Sequence, residues 1–534
     1  MLTTRQAAAA GVGALLLSAS ALGLAHAQQG EKVDVLIKGG TVYDGGTGAG
    51  VVADIGIKDG KIAFVGDAAK AKVSAATSVN ARGKIVAPGF IDPHTHYYED
   101  LSSTDKGMRR NLAAAMQGVT TVFVGSDGRA APEVKDTFGQ LETAGIGTNV
   151  ATYVGFGTLR QRVLGDSDRA PNAAELDQMK GMVAKAMCEG ALGLSTGLFY
   201  PPQSYATTAE VIELAKEAAK RGGTYDSHIR DESSYTIGLK GAVQEVFDIG
   251  KGAGIPVHIG HIKALGVDVQ GQAGEIIKMV EAAQASGLKV TADQYPWLAS
   301  GTGISAALLP RWAQVDGDAA MLKRLADPTL GPKIRAEMTE NMRRRGGPDS
   351  LLLTSTKVEG ALGKTLAEIA KDWKVDPIEA AVRILQQGGA GVASFNQSEA
   401  DIKAFMRQPW VMTSSDGSEG HPRKYASFAE KYAKYVKAEK TITLGEFVHR
   451  STGLTADTFG LTGRGYLKPG FHADVVVFDP QAYGPKATYV QPELLSVGAD
   501  QVLVNGKFVV RDGKPTDVLP GVGVQRVPTA GSCN

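Results

Sequence analysis

The chain has 534 residues, 57 basic and 56 acidic, for a formal charge of +1. So even a balance argues against non-specific nucleic-acid binding and against attachment to an acidic membrane surface. With 43% hydrophobic and 21% charged residues the composition is that of a globular protein. Its two cysteines, Cys188 and Cys533, allow at most one disulfide and exclude both a thiolate zinc site and a C-x-x-C redox motif.

Residues 1–27 read as an export signal. Arg5 supplies the positive end, an apolar stretch runs from Ala7 to Leu24, and Ala25-His26-Ala27 is a small-x-small cleavage site before Gln28. Gln28 is not a cysteine, so no lipid anchor is expected at the new N-terminus, and no other apolar run is long enough to span a bilayer. The expectation is an exported protein, periplasmic or secreted, with no membrane association once the signal is removed.

The next segment reads as strands. Val33–Ile37 leads to Gly39-Gly40, and Asp54–Ile57 faces Lys61–Val65 across Asp59-Gly60, a dipeptide suited to a type I′ hairpin. The same texture returns late in the chain, where Ala473–Phe478 is one run and Val502–Val504 turns at Asn505-Gly506 into Phe508–Val510. Residues 28–88 and 464–534 are therefore assigned to one small β-sandwich domain built from both termini.

Residues 89–463 alternate short β-rich runs with alanine-rich amphipathic stretches, the α/β pattern of a (β/α)8 TIM-like barrel. Eight strands are placed, ending near His94, Gly125, Gly155, Gly197, His228, His261, Tyr295 and Asp416. Active sites of such barrels collect at those ends. An insertion is expected at about residues 299–408, with Arg343-Arg344-Arg345 read as a solvated face.

Pro88-Gly-Phe-Ile-Asp92-Pro-His94-Thr-His96 is the most informative stretch. Residues i and i+2 of an extended strand share a side, so His94 and His96 can converge on one ion. His228 and His261 end two later strands, and imidazoles with carboxylates suit one or two divalent ions, zinc before others. His258 is out of phase with His261 and reads as a core histidine; His449 and His472 also read as structural. Asp416, in Thr413-Ser-Ser-Asp416-Gly417, places a carboxylate where it could take a proton from an activated water.

These residues resemble the amidohydrolase superfamily, and most closely its D-aminoacylase branch, the N-acyl-D-amino-acid deacylases. Further matches are Gly157-Thr-Leu-Arg160, Gly190-Ala-Leu-Gly-Leu-Ser-Thr-Gly-Leu-Phe-Tyr200-Pro, Ser227-His-Ile-Arg-Asp-Glu232, Gly260-His-Ile-Lys263, Tyr295-Pro296 and His421-Pro-Arg423, and the likeness spans about residues 33–510. It implies metal binding by His94, His96, His228 and His261, and Asp416 as catalytic base and acid. It also implies a substrate carboxylate held by Lys263, Tyr295 and Arg423, whose charges suit that partner.

One departure stands out. The family usually carries Gly-Asn-Cys-Gly after the second strand, with the cysteine a metal ligand, whereas this chain reads Val124-Gly125-Ser126-Asp127-Gly128. Asp127 is expected to take the cysteine's place as a ligand, the rival reading being a turn aspartate. No lysine lies between Gly190 and Tyr200 to bridge two ions after carboxylation, as in other branches. The expected function is hydrolysis of an N-acyl-D-amino acid to a carboxylic acid and a free amino acid. Rivals are a dipeptidase, a cyclic-amide hydrolase of the dihydroorotase or hydantoinase kind, and a non-enzymatic scaffold. The expected partner is a small N-acyl amino acid or dipeptide; nothing in the sequence sets an oligomeric state.

Overall fold

Two hairpin tips knit the ends of the chain together. Asp59 and Gly60 take φ of +51° and +74°, and Asn505 and Gly506 take +49° and +77°, the left-handed pairs that a type I′ turn requires. The tips touch: a Cβ on Gly60 would lie 2.9 Å from the Asn505 carbonyl oxygen, and one on Gly506 would lie 2.7 Å from the Gly60 Cα. Both positions therefore need glycine. The computed structural model describes residues 30–533, so the export signal read on residues 1–27 lies outside the described residues.

From these tips grows one nine-stranded sheet. Lys514–Pro515, Lys507–Arg511, Ala499–Val504 and Val475–Phe478 come from the C-terminal part; Ile85–Pro88, Lys32–Val42, Val51–Lys58 and Lys61–Gly66 follow, and Ser74–Asn80 pairs with Lys32–Val42. The seam between the two halves is antiparallel, Val475 opposite Pro88 and Phe478 opposite Ile85. Val35, Ile37, Ile55, Ile57, Val86, Val475, Val477 and Leu503 share one core, so neither end completes it alone.

All eight strands expected in the middle of the chain are present, as Phe90–Asp92, Val119–Val124, Asn149–Thr152 continued by Val154–Gly155, Gly193–Gly197, Thr224–His228, Val257–Ile259, Val290–Gln294 and Val411–Thr413. They form two parallel sheets that meet at Tyr153. The first and last strands also meet just beyond their ends: the Asp416 amide donates to the His94 carbonyl (2.9 Å) and the His96 amide to the Gly417 carbonyl (3.0 Å). Most of these strands are buried along their whole length, as parallel strands covered on both faces must be.

The insertion is a small body of its own. Ala299–Gly303, Ala390–Phe395 and Leu351–Thr356 form an antiparallel sheet, and its helices close a separate core around Leu308, Met338, Leu351, Ile369 and Val392. Here one expectation is corrected. Arg343-Arg344-Arg345 is not a solvated face: Arg343 pairs in the open with Asp268 and Glu340, whereas Arg345 is only 1% exposed. Consecutive residues of a helix are about 100° apart, so three in a row cannot all face water on a helix that packs against a core.

The chain's last residues leave the small domain to which the sequence assigns them. They cross the N-terminal ends of the parallel strands, with amides of Gly521, Val524, Arg526 and Thr529 donating to carbonyls of Ile146, Val150, Gly190 and Arg221. Cys533 is then bonded to Cys188, 345 residues earlier. A cross-link closing so long a loop is worth on the order of 5 kcal/mol on chain-entropy grounds. Cys188→Ser should accordingly lower Tm by several degrees and expose the tail to limited proteolysis, with the site at the other end of the strands still active. An unchanged Tm on mild reduction of the wild-type protein would mean that the bond adds nothing to the tail's own hydrogen bonds.

Candidate active site

The strand Val119–Val124 ends in a turn that reverses sharply. Gly125, Asp127 and Gly128 have φ of +83°, +58° and +72°. A Cβ at Gly125 would strike Ala130 at 2.4 Å, and one at Gly128 would strike the Gln203 side chain at 2.2 Å. Gln203 clamps the turn, donating from Nε2 to the Asp127 carbonyl (2.8 Å) and accepting from the Gly197 amide (2.7 Å). The outcome is a buried carboxylate ringed by four imidazoles. Asp127 Oδ1 lies 3.3 Å from His94 Nε2, 3.5 Å from His228 Nδ1 and 3.6 Å from His261 Nε2; Oδ2 lies 3.6 Å from His96 Nε2.

These spacings suit a metal better than hydrogen bonds. Donors about 2.0–2.1 Å from a tetrahedral zinc ion are separated by about 3.3–3.4 Å. Asp127 Oδ1, both ring nitrogens of His94 and both of His228 are buried without a hydrogen-bond partner, a costly arrangement unless a cation sits among them. Three overlapping triads have the spacing of a cation site: His94, His96 and Asp127; Asp127, His228 and His261; and His94, His261 and Asp416. Asp127 caps no helix through its side chain, so the turn-residue reading has no such contact in its favour.

His94 and His96 reach the cluster by a route other than strand alternation. Their strand stops at Asp92, and the segment beyond it is held by the bridge between Thr95 and Gly417. His261 and Asp416 also lie past their strand ends, with φ of +34° and +47°. A second layer of carboxylates holds these segments. Asp92 accepts from the amides of Ser415 (3.0 Å) and His94 (3.3 Å), and burial pushes its carboxyl up to about 7. Asp293 accepts from the His261 amide (3.1 Å) and faces His258 Nε2 at 2.9 Å, while His258 Nδ1 meets Thr291 (2.9 Å). His258 is thus a satisfied core histidine, as its phase implies. His449 likewise meets the Gly45 carbonyl, at 2.9 Å, and His472 lies in the small domain.

Asp416 joins the histidines to the expected carboxylate clamp. Its Oδ1 is 3.2 Å from His96 Nε2 and its Oδ2 is 2.7 Å from Arg423 Nη1. Burial opposes ionisation of Asp416, but the charges of Arg423 and His261 outweigh it and hold the group well below the usual carboxylate range. Lys263 Nζ binds Glu232 and lies 2.7 Å from His261 Nδ1, with the Tyr295 ring centred 5.6 Å away. Arg423 stands 5.1 Å over the same ring. Lys263, Tyr295 and Arg423 are therefore together, but both cations already have carboxylate neighbours. Burial alone would depress His261; Asp416 and Glu232 lift it to about 9.

Glu232, Asp293 and Gln203 carry no role in the sequence reading. Only Glu232 left a signal there, four residues after His228 within a matched stretch. His96, Asp127, His228, Glu232, His261, Lys263, Tyr295, Asp416 and Arg423 line a cavity of about 520 Å³, together with Arg129, Phe199 and Tyr200 and, from the insertion, Thr302, Arg345, Ser355 and Val392.

Comparison with known proteins points the same way. The sequence profile of the Amidohydrolase family matches residues 77–510. An N-acyl-D-glutamate deacylase of Alcaligenes xylosoxydans xylosoxydans is 34% identical over 513 residues, covering 91% of this chain and 95% of its own. The crystal structure of the N-acyl-D-glutamate deacylase of Bordetella bronchiseptica, complexed with zinc and a phosphonate mimic of the tetrahedral intermediate, superposes with a TM-score of 0.79. It is 32% identical, covering 93% of this chain and all of its own. A D-aminoacylase structure from a study of its binuclear metal centre gives the same score at 31% identity, covering 92% of this chain and all of its own. These neighbours have a TIM barrel with a sheet domain, in keeping with the mixed α/β architecture seen here.

Asp127→Ala should lower the zinc affinity of the protein at least tenfold or reduce its zinc content, read by equilibrium dialysis and metal analysis. Asp127→Cys should restore zinc binding, because a thiolate is also a good zinc ligand. Full zinc content at unchanged affinity in the alanine variant would reduce Asp127 to a turn residue.

Proposed function

The chain belongs to the amidohydrolase family, and from that premise and the cavity geometry we propose that it is a metal-dependent N-acyl-D-amino-acid deacylase, a hydrolase of linear amides. One observation carries the reading: four histidines and Asp127 converge on one point, Asp416 stands beside them, and Lys263, Tyr295 and Arg423 gather around the same cavity. The relatives named above are deacylases of acylated D-amino acids, and the neighbouring structures carry zinc or a binuclear metal centre.

In this reading His94, His96, His228, His261 and Asp127 hold one or two zinc ions. When bound, the metal supplies Lewis acidity that polarises the scissile carbonyl and favours ionisation of the attacking water. The remaining work belongs to the chain's own groups. Asp416 accepts the proton of the attacking water at the oxygen facing His96 and then delivers it to the leaving nitrogen. Arg423, Lys263 and the Tyr295 hydroxyl orient the substrate through its α-carboxylate. Arg423 contacts Asp416 before substrate arrives, so the same guanidinium links the carboxylate subsite to the proton-transfer group. The products are a carboxylic acid and a free D-amino acid.

The same proposal extends to architecture and location. The two parallel sheets close into a (β/α)8 barrel over residues 89–463, and the nine-stranded sheet folds over its core as a β-sandwich. Export to the periplasm or the medium is supported by the signal-like residues 1–27 and by the Cys188–Cys533 disulfide, a bond favoured in oxidising compartments.

A screen of zinc-replete protein should show release of free amino acid from N-acetyl-D-amino acids and little from the L series. Turnover confined to hydantoins or dihydroorotate, or to dipeptides, would overturn the proposal. Asp416→Asn should lose roughly 10²–10⁴ in kcat, as expected for loss of proton transfer, with zinc content retained. A variant keeping more than about a tenth of the wild-type kcat would remove Asp416 from that role.

A further inference from the structure

The peptide between Asp127 and Gly128 is held at both of its polar ends. Its carbonyl oxygen accepts from Gln203 Nε2 (2.8 Å), and its N–H, the Gly128 amide, donates to Ser195 Oγ (3.2 Å). Ser195 in turn donates its hydroxyl proton to Asp226 Oδ2 at 2.6 Å, the length of a charge-assisted bond. With that proton committed to the carboxylate, the lone pairs of the hydroxyl oxygen are free for the Gly128 amide. The bonds run in one direction, Gly128 to Ser195 to Asp226, and each polarises the next.

The strands supply this relay directly. Ser195 and Asp226 are register partners in the parallel pair Gly193–Gly197 and Thr224–His228, and both are fully buried. Asp226 stands two residues before His228 and shares its side of the strand. One strand thus carries both a ring of the cluster and the anchor of the turn that bears Asp127, whose Oδ1 lies 3.5 Å from His228 Nδ1. Two glycines bring the strands this close: a Cβ at Gly197 would lie 2.6 Å from the Asp127 carbonyl oxygen, and one at Gly155 would lie 2.5 Å from that of Gly128. Among the described residues Ser195 is the only hydrogen-bond donor to the Asp226 side chain, whose Oδ1 has no partner. A dry carboxylate with a single donor is costly to bury, and orienting that donor is the task its geometry gives it.

Asp127 needs such support. Its φ of +58° and ψ of +23° lie in the left-handed region, which residues other than glycine enter at a steric cost that asparagine and aspartate bear best. Holding the next peptide plane at both ends limits rotation about ψ, so the Cβ that carries the carboxylate stays aimed at the imidazoles. We propose that Ser195 is a positioning residue for Asp127: aimed by Asp226, its hydroxyl holds the Gly128 amide and thereby sets the carboxylate among the histidines. The proposal rests on Asp127 as a zinc ligand. Neither Ser195 nor Asp226 is among the residues that line the cavity, so both act through the turn.

The test is a double-mutant cycle on full-length protein, with zinc affinity read by competition against a chromophoric chelator. Ser195→Ala should weaken zinc binding by about 10–100-fold, the range for losing a group that orients a ligand. In the Asp127→Ala background the same substitution should change affinity by less than about threefold, because no carboxylate is left to aim. Cobalt(II)-substituted protein gives a second reading. Ser195→Ala should alter its visible ligand-field bands when Asp127 is present and leave them unchanged in the Asp127→Ala background. A missing hydroxyl that merely loosened the strands would weaken zinc by the same factor in both backgrounds, and that result overturns the proposal. Ser195→Cys, similar in size but a weak acceptor, carries the same cycle if Ser195→Ala does not fold.

The two readings fail separately. If Asp127→Ala weakens zinc binding and Ser195→Ala does not, only the positioning role falls. If Asp127→Ala leaves zinc affinity unchanged, Asp127 is no ligand and the positioning role falls with it. No readout uses turnover, so the cycle is decided whether or not the protein is a deacylase.

Discussion

A carboxylate almost out of reach of water stands at the centre of the cavity with four imidazoles around it, and the surrounding fold is arranged to hold that grouping. Asp127 is 4% exposed, and its oxygens and the imidazole nitrogens are spaced for a shared cation, not for one another. Unpaired, such groups would be expensive to bury. The glycines that let the turn at 125–128 reverse, and Gln203 that clamps it, are the local means by which the carboxylate is delivered.

Around that centre lies a shell of carboxylates that hold the neighbouring rings and backbone in place. Asp293 faces His258 and takes the His261 amide, and Asp92 ties the segment after the first strand to the segment after the last. Glu232 sits between Lys263 and His261. Such carboxylates orient ligating rings and raise their basicity, so positions remote from the chemistry still govern it. The two chain segments that Asp92 joins are more than 300 residues apart, which makes the meeting of the first and last strands a condition for the site.

The molecule divides its labour. The parallel strands provide the base from which the clustered histidines and carboxylates project, the sheet from both termini braces it, and the C-terminal tail crosses the strands' far ends. The insertion brings a different chemistry. It has its own core, yet it contributes Thr302, Arg345, Ser355 and Val392 to the wall of the cavity. Loops at the mouth of such barrels can vary without disturbing the strands beneath them.

Local order was legible in the sequence: the eight parallel strands, the two left-handed hairpin tips, the histidines at or just past strand ends, the anomalous Asp127 and the core role of His258. These follow from short β-rich runs alternating with amphipathic stretches, from turn residues suited to positive φ, and from residue types whose chemistry is narrow. The tertiary structure alone decided the rest. Asp127 and Asp416 reach the cluster through backbone turns outside the strands, His94 and His96 converge beyond the end of theirs, and Arg423 meets Asp416 as well as Tyr295. Arg345 was hidden in a run of three arginines, because which of them faces inward depends on helix phase against a core assembled from distant segments. Sequence determines each residue's local conformation and chemical capacity; burial and partnership arise from contacts across hundreds of residues, which no local pattern encodes.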